Sequence, residues 1–138
     1  MSEKNEYRAY FALTGEFDPS AISASLGIQP TRQWRKGDHN ARSGKAYIFS
    51  RWELESRLNR TEEVAKHIED VLVQLMPVSK VVKRLSSEHE GYIQCVAYFM
   101  VGQSSLDIDA GAVQEISTLG LGINFDPYDL RSSNEENA

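Results

Sequence analysis

Hydrophobic and polar residues alternate along four stretches of the chain, the pattern of half-buried β-strands. The first is YRAYFAL, residues 7–13, in which Tyr7, Phe11 and Leu13 share one face. The other three predicted strands lie within residues 45–56, 92–102 and 121–130, and the last of them runs into a turn at Asp126 and Pro127. The third of the four, YIQCVAYFMVG, is apolar on both faces, so we expect it inside the sheet rather than at an edge.

The segment after the first strand has the end signals of a short helix over residues 19–26. Asp18 suits the N-cap, Pro19 the first helical position, and Gly27 the position just past the end. These signals predict a helix of about two turns.

Two longer segments have helical spacing of apolar residues. Residues 60–77 can begin at a Thr61 cap and end at Pro77, and residues 79–85 add a further turn or two. The apolar stripe of this region comprises Val64, Ile68, Val71, Leu72 and Leu75. Residues 107–120 predict the last helix, with Asp107 or Asp109 as its cap and Val113, Ile116 and Leu119 as its buried face.

Strands and helices thus alternate, and the helices are apolar on one side only. This predicts an α+β fold: a mixed, mostly antiparallel sheet of four or five strands with helices packed on one face. The ferredoxin-like plait is the nearest named form. A length of 138 residues suits one domain, which we place at residues 7–130 with flexible tails at 1–6 and 131–138.

Aromatic residues, many of them tyrosines, fall on three of the predicted strands, so the face of the sheet that the helices do not cover is expected to be partly apolar and rich in tyrosine. An exposed surface of that kind commonly marks an interface, and symmetric dimers are the commonest assembly. We therefore expect either a homodimer across this face or a fifth strand, loop or helix that covers it.

Charge is distributed unevenly along the chain. The formal net charge is −5 and the sequence pI is about 5.2, which argues against general nucleic-acid affinity. Residues 31–45 nevertheless carry five basic residues and one acid, leaving the remainder at −9. Guanidinium groups beside an indole suit an anionic or stacked partner, so this predicted loop supplies the candidate binding residues Arg32, Trp34, Arg35, Lys36, Arg42 and Lys45. The alternative is a solvated loop whose positive charges balance the negative charge of the rest of the chain.

The expected compartment is cytoplasmic. Cys95 is the single cysteine and lies in an apolar strand, which fits a reducing environment. The N-terminus lacks the apolar region of a signal peptide, and no apolar run approaches the ~20 residues that span a bilayer.

The stretches GEFDPSAISASLGIQPT, RKGD, W.LES and INFDPYDL together resemble one bacterial family, a domain of unknown function numbered 4279. The resemblance covers roughly residues 7–130. It implies a small bacterial protein without an assigned activity, and it supplies no catalytic residues. It also implies an acidic residue where this chain has Asn124.

Other candidate chemistry is weak. His39, His67 and His89 have no metal-ligand spacing and are expected to be exposed, and Cys95 is expected to be a buried small hydrophobe. Asp107 and Asp109 resemble the start of a calcium loop but lack its later ligands. We therefore predict no catalytic residues, no metal and no cofactor.

Three functional hypotheses follow. The first is a non-enzymatic protein-interaction module, for instance an immunity-type inhibitor of a toxin. The second is a domain that senses a small anion such as a nucleotide, with the basic residues on phosphate and Trp34 stacking. The third, with the least support, is a metal-dependent hydrolase that uses the acidic residues.

Overall fold

A computed structural model describes residues 4–131 of the chain. Its five strands are β1 (Glu6–Gly15), β2 (Arg32–Trp34), β3 (Ser50–Glu55), β4 (Glu90–Phe99) and β5 (Gly122–Asp129). The α-helices in this part of the chain are α1 (Pro19–Leu26), α2 (Val64–Leu75), α3 (Ser79–Glu88) and α4 (Ala110–Thr118). A 3₁₀ turn, Met76–Val78, joins α2 to α3. Within the described residues no helix is long and apolar enough to cross a membrane.

The strands form one sheet in the order β2-β3-β1-β4-β5. The β2–β3, β3–β1 and β1–β4 pairs are antiparallel, and only β4 and β5 run parallel. The predicted α+β fold with a mixed, mostly antiparallel sheet is therefore confirmed. The ferredoxin-like plait has the element order β-α-β-β-α-β. The elements from β1 to β4 follow this order when α2 and α3 are counted as one helical connection, and α4 and β5 come after it. The plait stays the nearest named form.

The hydrophobic core lies between the helices and one face of the sheet. Alternate residues of β1, β3 and β4 point to the helices, and Phe11, Trp52 and Ile93 are fully buried there. All four helices contribute buried residues to this one cluster. The indole N–H of Trp52 donates to Ser23 Oγ of α1 at 3.0 Å, so the core's largest side chain is also hydrogen-bonded.

The local signals of α1 act as predicted. Asp18 accepts a hydrogen bond from the Ser20 backbone N–H, Pro19 opens the helix, and Gly27 takes the left-handed conformation at φ 68°. The predicted cap of α4 is also found, since Asp109 accepts from the Ala112 N–H at 2.8 Å.

Four local predictions are wrong. Helix α2 begins at Val64 after Glu63, so Thr61 is not its cap. The strand predicted over 45–56 starts only at Ser50. Val113 is 52% exposed rather than buried. The expected turn at residues 126–127 lies inside β5, where an edge strand tolerates a proline.

The expected tails fall mostly outside the described residues, since 1–3 and 132–138 are not covered. Within the described part, Asn5 is already fixed: its amide donates to the Gly102 carbonyl and its oxygen accepts from the Met100 N–H, both at 2.8 Å. Glu6 begins β1.

Candidate functional site: the helix-free face of the sheet

The second face of the sheet carries no helix within residues 4–131, because all the described helices pack on the other side. We call this second face the open face. Strand register defines its side chains, which are Arg32 and Trp34 of β2, Arg51, Glu53 and Glu55 of β3, Arg8, Tyr10, Ala12 and Thr14 of β1, Tyr92, Gln94, Val96 and Tyr98 of β4, and Asn124, Asp126 and Tyr128 of β5. Glu6 and Glu90 lie on the same side at strand ends. This confirms the predicted tyrosine-rich face; no described helix covers it, and Tyr47 of the loop after β2 lies over Trp34 at one edge.

Two arginines of the open face are held in place by carboxylates of β3. Arg8 donates through Nε and Nη2 to the two oxygens of Glu55, at 2.9 and 2.8 Å. This fork geometry is the strong form of the arginine–carboxylate pair, and it raises the pKa of Arg8. Arg51 donates to Glu53 and, through Nη1, to the hydroxyl of Tyr92 at 2.7 Å. Both guanidinium groups are therefore held and charge-compensated by side chains of this chain.

Aromatic rings lie between and beside these arginines. The guanidinium carbon of Arg8 lies 5.3 Å from the centroid of the Tyr10 ring, and the guanidinium carbon of Arg51 lies 5.9 Å from it. Burial is the main cause that raises the pKa of Tyr10. Towards β5, Tyr98 and Tyr128 stack with centroids 5.6 Å apart and planes 14° apart. The aliphatic members of the face, Ala12 and Val96, are 0% and 4% exposed, so they contribute almost nothing to its surface.

Opposite uncompensated charges lie at the two edges. At the β2 edge, Arg32 is exposed and stacks over the Trp34 ring at 4.9 Å, and no described carboxylate forms an ion pair with it. At the β5 edge, Asp126 accepts only the hydroxyl of Tyr128, at 2.7 Å, among the hydrogen bonds of residues 4–131. This bond raises the pKa of Tyr128.

An open groove of about 410 Å³ lies at one end of the face. Its walls include Thr14, Phe49, Arg51, Tyr92 and Asn124. Glu90 also lines it, so the groove contains a carboxylate as well as the guanidinium group of Arg51. The Nε and Nη1 atoms of Arg51 already donate to Glu53 and Tyr92. This balance does not favour an anionic small molecule.

The region predicted as a loop begins with the short strand β2. Residues 35–49 then fold back on themselves: the Tyr47 N–H donates to the Asp38 carbonyl at 2.8 Å, and His39 and Ala46 form an antiparallel bridge. We call residues 35–49 the loop hairpin. Trp34 anchors it, stacking on Tyr47 with centroids 4.1 Å apart.

The six candidate binding residues do not form one surface. Arg32 and Trp34 belong to the open face. Arg35 forms an ion pair with Asp18 at 2.6 Å, and Lys36 forms one with Glu16, so acids of this chain balance both basic side chains. The Arg35 hydrogen bond, after that from Ser20, helps to lower the pKa of Asp18 to about 2.

The remaining two candidates lie at the tip of the loop hairpin. Arg42 and Lys45 are exposed beside the turn that Asn40 holds by accepting from the Arg42 N–H at 2.8 Å. Neither forms an ion pair with another described residue. The tip is therefore a small basic surface of its own, separate from the open face.

Sequence reasoning missed the buried state of His67. It is 2% exposed, its Nδ1 lies 2.7 Å from Ser56 Oγ, and its Nε2 has no hydrogen-bond partner among the described residues. The signal was present, because position 67 is three residues after Val64 and four before Val71 on the buried stripe of α2. Burial lowers the pKa of His67.

Cys95 is buried as expected, and burial raises the pKa of its thiol to about 12. Within residues 4–131, no group of three or more His, Cys, Asp or Glu side chains is placed to hold a metal ion.

Comparison with known proteins gives one result. No curated protein and no solved structure matches the chain significantly. A family model matches residues 5–130, nearly the whole length. The chain therefore belongs to DUF4279, a family described as a domain of unknown function.

Proposed function

We propose that the chain is a non-enzymatic protein-interaction module and that the open face is its interaction surface. One observation carries this proposal: a five-stranded sheet has a whole face free of helices in the described structure, and tyrosine, tryptophan and arginine make up much of that face. These three residue types are enriched in protein interfaces and dominate their binding energy.

The order of these side chains supports the proposal. Binding normally loses about 0.5–1.5 kcal/mol of free energy for each flexible side chain that becomes immobilised. On the open face, Glu55 already holds Arg8, and Glu53 and Tyr92 already hold Arg51. A partner would meet a preorganised surface and lose less conformational entropy.

The other two hypotheses have weaker support. For the sensing of a small anion, the groove contains Arg51, but Glu53 and Glu90 oppose a negative ligand, and Arg35 and Lys36 of the loop hairpin are engaged with acids. A nucleotide at 100 times its dissociation constant would add about 2.7 kcal/mol of stability, so a thermal-shift panel tests this alternative. The hydrolase has no cluster of donors in the described residues.

The proposal is tested by affinity capture from a lysate of the source organism, with mass spectrometry of the retained proteins. The face variant is Tyr98→Ala with Tyr128→Ala, which removes a stacked pair of half-exposed rings. The tip variant is Arg42→Ala with Lys45→Ala. We expect one specific protein to be lost with the face variant and kept with the tip variant. That protein is either the chain's own untagged copy or another protein, such as an immunity-type target.

A surface control comes from the helix layer. Val73 on α2 is 57% exposed, so Val73→Ser changes an exposed apolar side chain far from the open face. All variants are first shown to unfold at the wild-type temperature within a few degrees. Capture that persists with the folded face variant and disappears with the tip variant would move the function to the loop hairpin and overturn the proposal.

A further inference from the structure

We infer that the partner of the open face is the open face of a second copy of this chain, related by a two-fold axis that passes over Tyr10. The inference rests on the proposed function, since it names the partner of the same surface. A two-fold interface must be self-complementary, so that each group meets its counterpart twice. The charges of the open face meet this requirement, the strand register locates the axis, and the area of the face bears on the strength of the dimer.

The charge pattern is self-complementary. The pairs Arg8–Glu55 and Arg51–Glu53 neutralise themselves within one chain. Away from the strand ends, two charged groups of the open face then have no ion-pair partner among the described residues. They are the guanidinium of Arg32 at the β2 edge and the carboxylate of Asp126 at the opposite edge. A two-fold axis that exchanges the two edges places Arg32 of each copy over Asp126 of the other copy. Two symmetric ion pairs then form.

Strand register places the axis. Arg32 aligns across β3 with Glu53 and then with Ala12 of β1. Asp126 aligns across β4 with Val96 and then with Arg8 of β1. Ala12 and Arg8 are four residues apart on the central strand, and Tyr10 lies midway between them on the same face. A two-fold axis over Tyr10 therefore relates the two charged positions, and the two Tyr10 rings meet at its centre.

Glu90 lies outside this arrangement. It is at the first position of β4, opposite Thr14, and so at an end of the face rather than over its middle. Glu6, at the other end, lies 3.9 Å from Arg60. The carboxylates at the strand ends thus form a polar rim, as interfaces commonly have.

The area of the open face reaches the lower limit of specific interfaces when two copies overlap completely. Strands rise ~3.3 Å per residue and lie ~4.8 Å apart, so five strands of three to ten residues present a face of about 600 Å². Two copies would bury about 1,200 Å² in total, the lower limit of specific interfaces. Two sheets packed face to face are a common arrangement with ~10 Å between them, which leaves room for the rings and guanidinium groups.

Charge reversal at the two edges makes a specific test. In a dimer of Arg32→Glu chains, Glu meets Asp126 twice, and in a dimer of Asp126→Arg chains, Arg meets Arg32 twice. Two copies of the same single variant therefore repel each other at both contacts. An equimolar mixture of the two variants restores two attractive contacts, and so does the double variant.

The experiment is sedimentation velocity of the full chain over a wide range of concentrations. The wild type is expected to dimerise, and each single variant to weaken dimerisation by about tenfold or more. The mixture is expected to recover a heterodimer of nearly wild-type affinity. Because Arg32 is exposed and Asp126 half-buried, neither change removes a core contact.

Three outcomes would overturn the inference. These are a wild type that stays monomeric at every concentration, single variants that dimerise as the wild type does, and a mixture that does not recover the heterodimer. If affinity capture then still retains a different protein that the face variant loses, the interaction module stands and only the identity of its partner is wrong. If the face variant loses nothing, both proposals fail.

Discussion

Mild acid should destabilise this protein through one buried histidine. His67 is packed in the core with its Nδ1 on Ser56, and burial lowers its pKa, although the nearby Glu55 and Glu62 raise it by smaller amounts. The unfolded chain exposes the same imidazole with an ordinary pKa of about 6.5. Below that pH the unfolded state binds a proton that the folded state resists, so the free energy of unfolding falls as the pH falls.

The size of the effect has an upper limit. One proton bound only by the unfolded state changes the free energy of unfolding by ~1.4 kcal/mol per pH unit. Between pH 6.5 and pH 5 the loss from His67 can therefore reach about 2 kcal/mol. The acids whose pKa is lowered by ion pairs, such as Asp18 with its pKa of about 2, lose their contribution only in more acidic solution. The two effects are thus separated in pH.

Urea unfolding at several pH values measures this slope directly. His67→Leu should lose the slope between pH 6.5 and 5 whatever its stability at neutral pH, because the titrating group is gone. His39→Gln is the matched control, since His39 is exposed in the loop hairpin and its removal should leave the slope unchanged. A wild type of constant stability over this range, or a His67→Leu variant that keeps the slope, would refute the reasoning.

Two further substitutions test the packing that holds the sheet in place. Gly91→Ala should lower the free energy of unfolding by about 1–3 kcal/mol, because the new Cβ would lie 2.8 Å from Leu121 Cδ2. Ser23→Ala should also lower it by about 1–3 kcal/mol, because the buried indole N–H of Trp52 loses its acceptor. Chemical denaturation measures both.

Each substitution has a control in the same element or beside it. Gly122→Ala places a Cβ no closer than 3.8 Å to the nearest atom, Tyr92 Cβ, and should change stability little. Ser25→Ala alters an exposed serine of α1 that makes no described side-chain hydrogen bond. Equal effects in a substitution and its control would show that the named contact is not the cause.

Local rules predicted much of the fold because the deciding interactions are close in sequence. The cap at Asp18, the proline that opens α1 and the glycine that ends it lie within ten residues. The period of two in β1, β3 and β4 likewise fixed which residues face the helices, and with them the existence of a tyrosine-rich open face.

Interactions between distant residues set what could not be predicted. The basic stretch looked like one site because its charges are adjacent in sequence. Folding divides them: Arg35 meets Asp18, Arg32 turns to the open face, and Arg42 stays at the hairpin tip. The fork between Arg8 and Glu55 depends on β1–β3 register, which no local pattern determines.

The most direct test of the central claim is hydroxyl-radical footprinting of side chains in dilute and in assembled protein. Tyr128 on the open face and Met76 in the helix layer are 43% and 50% exposed, so both begin accessible. If the open face is the interaction surface, oxidation of Tyr128 slows on assembly while that of Met76 is unchanged. Protection of Met76 with unchanged oxidation of Tyr128 would contradict the claim and place the interface on the helices.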